Sequence, residues 1–171
     1  GSTNADTERT MNLKTSMMAI ALAVTSITGV TALHAQEAVV EAADKDALFT
    51  STDPQLNANK QVVYDIFRVL LEANNWDKAG DLLTERYIQH NPNAASGLDG
   101  VVKFFTETLK VQPTAVEDKI KSPVVFVTAE GDLVTVGTVR TEDDPANPGQ
   151  KYTTTWSDTW RIVDGKADEH W

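Results

Sequence analysis

Asp158 carries the clearest chemical potential in this chain. In the closing stretch "YTTTWSDTWRIVDGKADEHW" it stands two residues after Trp156 and two before Trp160. A strand turns alternate side chains to one face, so this acid shares its face with both indoles. Asp164-Gly165 is a strong two-residue hairpin signal. That turn pairs Val163 with Lys166, Ile162 with Ala167, Trp160 with Glu169 and Asp158 with Trp171. In this register Asp158 and Glu169 lie diagonally on an aromatic face. Lost hydration and a like charge nearby then raise the pKa of at least one of them. A carboxyl so tuned exchanges protons near neutral pH. The other face is polar, with an Arg161–Asp168 ion pair and an outward His170 of structural or interfacial role. The competing reading makes Asp158 a hydrogen-bonded brace, and a three-residue turn would carry Glu169 out of the pocket.

His90, in "YIQHNP" beside Tyr87, has a plainer reading as a histidine near the end of a helix, meeting its last carbonyls. Few other groups can do chemistry. The chain has no cysteine, which removes disulfides, thiolate nucleophiles and cysteine-ligated zinc. Its histidines and scattered carboxylates match no metal-ligand spacing, and no phosphate-binding or dinucleotide fingerprint occurs. The formal charge of −10, without a basic stripe, argues against nucleic acid and anionic membranes.

The elements that must position Asp158 are read from periodicity. Residues 1–10 are a cloning scar or an upstream extension. "MNLKTSMMAIALAVTSITGVTALHAQ" has the basic, apolar and small-residue parts of a secretory signal, cleaved near Ala35. That predicts a periplasmic or secreted protein with no membrane contact in its mature form. Residues 36–56 read as a partly disordered linker and 57–171 as the domain. Apolar residues at helical spacing predict helices over Asn59–Ala73, Trp76–Leu83 and Leu98–Val111. Four strands follow, in "KIKSPVVFV", "DLVTVGTVR", "KYTTTWSDTWRIV" and "KADEHW". Helices followed by a strand meander make an α+β layout.

"NKQVVYDIFRVLLEANNWDKAGDLLTERYIQHNPNAASGLDGVVKFF", "AEGDLVTV" and "DTWRIVDGKADEHW" together resemble the SnoaL-like polyketide cyclase branch of the nuclear transport factor 2-like superfamily. The resemblance implies a cone of three N-terminal helices on a strongly curved antiparallel sheet, open at one end to a hydrophobic pocket. It also implies a cofactor-free aldol-type cyclisation in which an aspartate, here Asp158, moves the proton. His90 matches a pocket-lining histidine. Relatives often carry a histidine where this chain has Gly137, and they usually extend past the position of Trp171. The expected activity is acid/base chemistry of cyclase, isomerase or hydrolase type on an apolar carbonyl compound, without metal or cofactor. Asp158 would be the base, His90 and Tyr87 would orient the substrate oxygen, and Trp76, Trp156, Trp160 and Trp171 would exclude water, with Glu169 nearby. The alternatives are a non-catalytic protein that binds a hydrophobic small molecule, and a homodimeric interaction module. The same superfamily hosts several activities, so the fold leaves function open.

Overall fold

Asp53-Pro54 starts the first long helix. The Asp53 carboxylate accepts a 2.9 Å hydrogen bond from the Leu56 N–H, and Pro54 sits in the first turn, where no amide proton is needed. Helix α1 (Pro54–Asp65) therefore begins before the expected Asn59. It runs on into π-type turns over Ile66–Glu72, closed by a 3.1 Å bond from Ala73 N–H to the Arg68 carbonyl. The computed structural model describes residues 37–171, and the expected signal sequence lies outside them.

The stretch expected to be a linker is packed on the domain over its described part. Val39 N–H donates to Thr153 Oγ1 at 2.7 Å and Ala42 N–H to the Val124 carbonyl at 2.8 Å. A 3-10 turn, Asp46–Phe49, then inserts Phe49 into the core with no exposed surface. One buried aromatic and a few backbone bonds hold a segment whose Ala- and Asp-rich composition reads as solvated. A second 3-10 turn (Trp76–Lys78) leads into α2 (Ala79–Leu82), and α3 (Leu98–Lys103) ends in π-type turns over Phe104–Thr108.

The five strands are β1 (Leu83–Gln89), β2 (Val124–Glu130), β3 (Leu133–Asp143), β4 (Lys151–Val163) and β5 (Lys166–His170), in the order β1-β5-β4-β3-β2. Three helical elements pack on this curved, open sheet in an α+β arrangement. Val63, Phe67 and Leu70 from the first helix meet Val134, Val136, Trp160 and Ile162 from the sheet in one core. The sheet is mixed, not wholly antiparallel, because β1 pairs in parallel with β5. Sequence reading took β1 for the end of a helical unit. Its charged residues Glu85 and Arg86 hid the inward pair Leu83 and Tyr87, both at most 4% exposed.

The hairpin register holds at the turn and then shifts. Val163 faces Lys166 and Ile162 faces Ala167, but Arg161 faces Glu169 and Trp160 faces His170. Asp168 is the extra residue of a β-bulge, and each residue after it changes face. The bulge is held on β5, where the Asp168 carboxylate accepts from Thr84 Oγ1 at 2.8 Å and from Arg86 Nε at 2.9 Å. The expected Arg161–Asp168 pair is therefore absent. Burial of Asp168 opposes its ionisation, yet the bonds from Arg86 and Thr84 outweigh it and hold the pKa low.

Candidate functional site

The bulge decides which groups meet inside. Glu169 leaves the face of Asp158, contrary to the expected register, and His170 takes its place. His170 Nε2 lies 2.9 Å from Asp158 Oδ1. On the other side of the ring, Nδ1 lies 2.7 Å from Gln89 Oε1, which also accepts the Asn91 backbone N–H at 3.1 Å. The Asn91 amide can only donate, so it identifies that Gln89 atom as the carbonyl oxygen. His170 Nδ1 must then carry a proton. If the imidazole is neutral, its Nε2 presents a lone pair to Asp158, so the carboxyl must hold a proton. If Asp158 is ionised, the ring is imidazolium. Hydrogen bonding thus obliges the pair to share one proton between Oδ1 and Nε2. Asp158 Oδ2 has no partner among the described residues.

Asp158 and His170 line a cavity of about 230 Å³ between the helices and the sheet. Its walls are mainly apolar, including Ile66, Phe67, Leu70, Val101, Phe105, Trp76 and Trp160. Tyr87 supplies a further polar atom. Its hydroxyl oxygen accepts from Trp160 Nε1 at 3.2 Å, which leaves its own proton free to donate. Burial, first of all, pushes the Tyr87 phenol above its ordinary pKa, so it stays neutral and a donor. Trp160 also packs edge-on against Phe67 at 5.7 Å and tilts over His170 at 4.8 Å, so neither ring moves freely.

The other expected site residues are elsewhere. His90, Trp156 and Trp171 line an open groove outside the cavity, which touches it only through Asp158, His170 and Asn91. His90 Nε2 bonds Glu169 Oε1 at 2.8 Å and its ring stacks on Trp171 at 5.3 Å. Glu169 also accepts from Arg161 Nε at 3.2 Å. The bond to His90 and that to Arg161 hold its pKa below the ordinary range, opposite to the expected rise. Trp156 is 49% exposed, with the Arg140 guanidinium 3.9 Å from its ring centre. Cavity and dyad therefore unite Asp158, Tyr87, Trp76 and Trp160 with His170 and Gln89. The last two were missed because a bulge has no composition signal in "KADEHW" and because β1 was unread.

Gly137 pairs with Ser157, on the face turned away from Asp158, and a Cβ there would fall 2.2 Å from the Phe126 ring. In this chain a histidine at 137 would point away from the cavity. No group of three or more candidate metal ligands occurs among the described residues, nor does a helix long and apolar enough to cross a membrane.

A helix-covered, curved mixed sheet with a carboxylate–imidazole pair on its inner face defines an α+β cone-type fold. The chain belongs to the SnoaL-like domain family, whose profile matches residues 63–170. Among solved structures it is similar to a candidate polyketide cyclase from Acidithiobacillus ferrooxidans. They share 15% identity over 71% of this chain and 89% of that one, with a TM-score of 0.48. A candidate SnoaL-like polyketide cyclase from Jannaschia sp. CCS1 shares 21% identity over 66% and 82%, with a TM-score of 0.45. Comparison with curated proteins finds no match.

Proposed function

We propose that this protein is a cofactor-free acid/base enzyme that removes a proton α to the carbonyl of an apolar small molecule bound in the cavity. The observation that carries this reading is the chain Asn91–Gln89–His170–Asp158, which ends on a carboxylate oxygen with no protein partner. With the shared proton on His170, Asp158 Oδ2 is the base. It takes the proton as the carbon–hydrogen bond breaks. The bond's electron pair becomes the carbon–carbon π bond of an enolate, and the carbonyl π pair moves onto oxygen. Tyr87 O–H donates to that oxygen as its charge grows. The enolate then either bonds through its carbon to a second carbonyl carbon, whose oxygen takes the proton from Asp158, or, where a neighbouring double bond extends it to a dienolate, takes that proton back at the γ carbon. The first outcome is an aldol cyclisation and the second an isomerisation. Positioned proton transfer of this kind contributes about 10²–10⁴ in rate, and one well-aimed oxyanion donor about 10²–10³.

Exchange of the α-protons of 2-tetralone in D₂O, followed by proton NMR, tests the first step without knowledge of the natural substrate. Wild-type protein should accelerate exchange and Asp158→Asn should not. Saturable binding of the ketone with no acceleration over buffer would sink the enzyme reading and leave a binding protein. The expected signal over Met11–Ala35 adds the proposal that the mature enzyme works outside the cytoplasm, tested by N-terminal sequencing of protein recovered from an exporting host.

A further inference from the structure

The two sides of β4 are unequally paired. β3 accompanies it from Lys151 to Arg161 in one unbroken register. β5 is much shorter, five residues against thirteen, so β4 is a central strand over residues 159–163 and a sheet edge over 151–158. Trp171 closes the paired part: its N–H donates to the Thr159 carbonyl at 2.9 Å, and its carbonyl accepts the Thr159 N–H at 3.1 Å. Backbone groups alternate along a strand, so Thr153, Thr155 and Ser157 aim their N–H and C=O the same way as Thr159. Among the described residues no backbone group meets them there. Natural edges are blunted by charge, proline or a bulge. The stretch "TTTWS", residues 153–157, has none of these, and its threonines favour an extended chain. The edge is also recessed. Thr155, Trp156 and Ser157 form one wall of the open groove, of about 650 Å³, and residues 90–93 with Trp171 form another. A single strand suits that space, whereas a second copy would bring its own 90–93 loop into it.

We propose that this groove is a peptide-docking site, in which an extended cationic segment of a partner protein adds to β4 where β5 stops, antiparallel to β4 and in the register of β5. Its residues opposite Ser157, Thr155 and Thr153 exchange backbone hydrogen bonds with them. The residue opposite Trp156 turns to the inner face, beside the exposed indole and diagonal to Asp158. A lysine or arginine there meets an aromatic ring and a carboxyl group, in a protein of formal charge −10. Arg140, already over that indole, is paired with Glu142. The docked segment also covers the groove side of Asp158 and His170, which ties partner binding to that pair. The inference stands on backbone geometry and holds whether or not the pair is catalytic.

The test uses the full chain and the probe Ac-Thr-Lys-Val-Lys-Thr-NH2, titrated by amide NMR at low salt. Wild type should bind it saturably, with slowed deuterium exchange at the Thr155 and Ser157 amides. N-methyl groups on the first, third and fifth probe residues block the bonds to β4 and should weaken binding about tenfold or more, the effect of one or more lost hydrogen bonds. N-methyl groups on the second and fourth residues point away from β4 and should leave binding unchanged. Glutamate in place of both lysines should weaken it about tenfold. Thr155→Pro removes an outward N–H without breaking a bond to β3, so it should fold and bind the probe about tenfold more weakly. The methylated probes make the same test without touching the fold. Four results overturn the inference: no saturation by the unmodified probe, equal affinity for the two methylated probes, equal or tighter binding of the glutamate probe, or a self-associated protein that Thr155→Pro makes monomeric. The last would give the edge to a second copy. All are binding readings, so failure of the α-proton exchange assay leaves them standing, and their failure leaves that assay intact.

Discussion

Two carboxylate–imidazole pairs of nearly equal length meet at the last hairpin. Asp158–His170 spans 2.9 Å on the inner face and Glu169–His90 spans 2.8 Å on the groove side. What differs is the rest of the surroundings. Glu169 is gripped also by Arg161, which in turn holds Asp132 at 2.8 Å, so this carboxylate is fixed in its charged form. Asp158 has one partner and one free oxygen, against a cavity. A carboxylate held by a guanidinium and an imidazole braces a fold; one that shares a single proton and lines a cavity can exchange it. Identical residue types thus separate into a clamp and a base through what lies around them.

The largest test of this contrast is kinetic. Asp158→Asn should lower α-proton exchange by about 10²–10⁴, while Glu169→Gln should leave it within about threefold, because that carboxylate lies outside the cavity. Comparable losses in both variants would abolish the distinction. The next test attacks the bulge that creates it. Asp168→Ala removes a buried carboxylate with charge-assisted bonds and should cost on the order of 2 kcal/mol in denaturant unfolding. With that anchor gone the strand should slip to the regular register, with position 168 facing Arg161, Glu169 on the inner face and His170 outward, and with loss of exchange activity. Retained activity in the folded Asp168→Ala protein would mean that the bonds of Asp168 do not set the site.

That same bulge marks where sequence reading stops. Periodicity and the Asp-Gly turn sufficed for three helical elements, four of the five strands and the inward placement of Asp158 and Trp160. Those features repeat over many residues, so a single ambiguity does not overturn them. Facing after residue 167 depends instead on one inserted residue, whose cause is the bonding of Asp168 to Thr84 and Arg86 about eighty positions away. Tertiary contacts of that kind leave no local trace. β1 was hidden for a related reason. A parallel edge strand beside β5 needs only two inward residues, and "LTERYIQ" presents them among charges typical of a helix.

A smaller effect is expected from Gln89, which acts on the site only through His170 and is a positioning residue. Gln89→Leu removes the acceptor that keeps the proton on Nδ1. The ring is then free to hold its proton on Nε2 and donate to ionised Asp158 while remaining neutral. Nitrogen-15 NMR of the His170 ring should report this change of tautomer directly, and exchange activity should fall about tenfold, the effect of one hydrogen bond of roughly 1.4 kcal/mol. An unchanged Nδ1–H signal in the variant would show that Gln89 does not set the tautomer. A merely structural Gln89 would alter stability without moving the proton.

The smallest effect belongs to the clamp, and its sign follows from the depressed pKa of Glu169. A carboxylate whose folded pKa lies below its unfolded value binds protons more readily in the unfolded chain. Its contribution to stability is complete above the unfolded value of about 4.3 and is lost as pH falls through the lower folded value. Glu169→Gln should therefore bring the acid-side stability of the variant and wild type together, with their melting temperatures converging below about pH 4 and separating at neutral pH, wild type the higher. High salt should narrow the neutral-pH gap, since the partners His90 and Arg161 are partly exposed. A gap that persists unchanged into acid would mean that the Glu169 side chain stabilises the hairpin by packing, and the contrast between clamp and base would then rest on Asp158 alone.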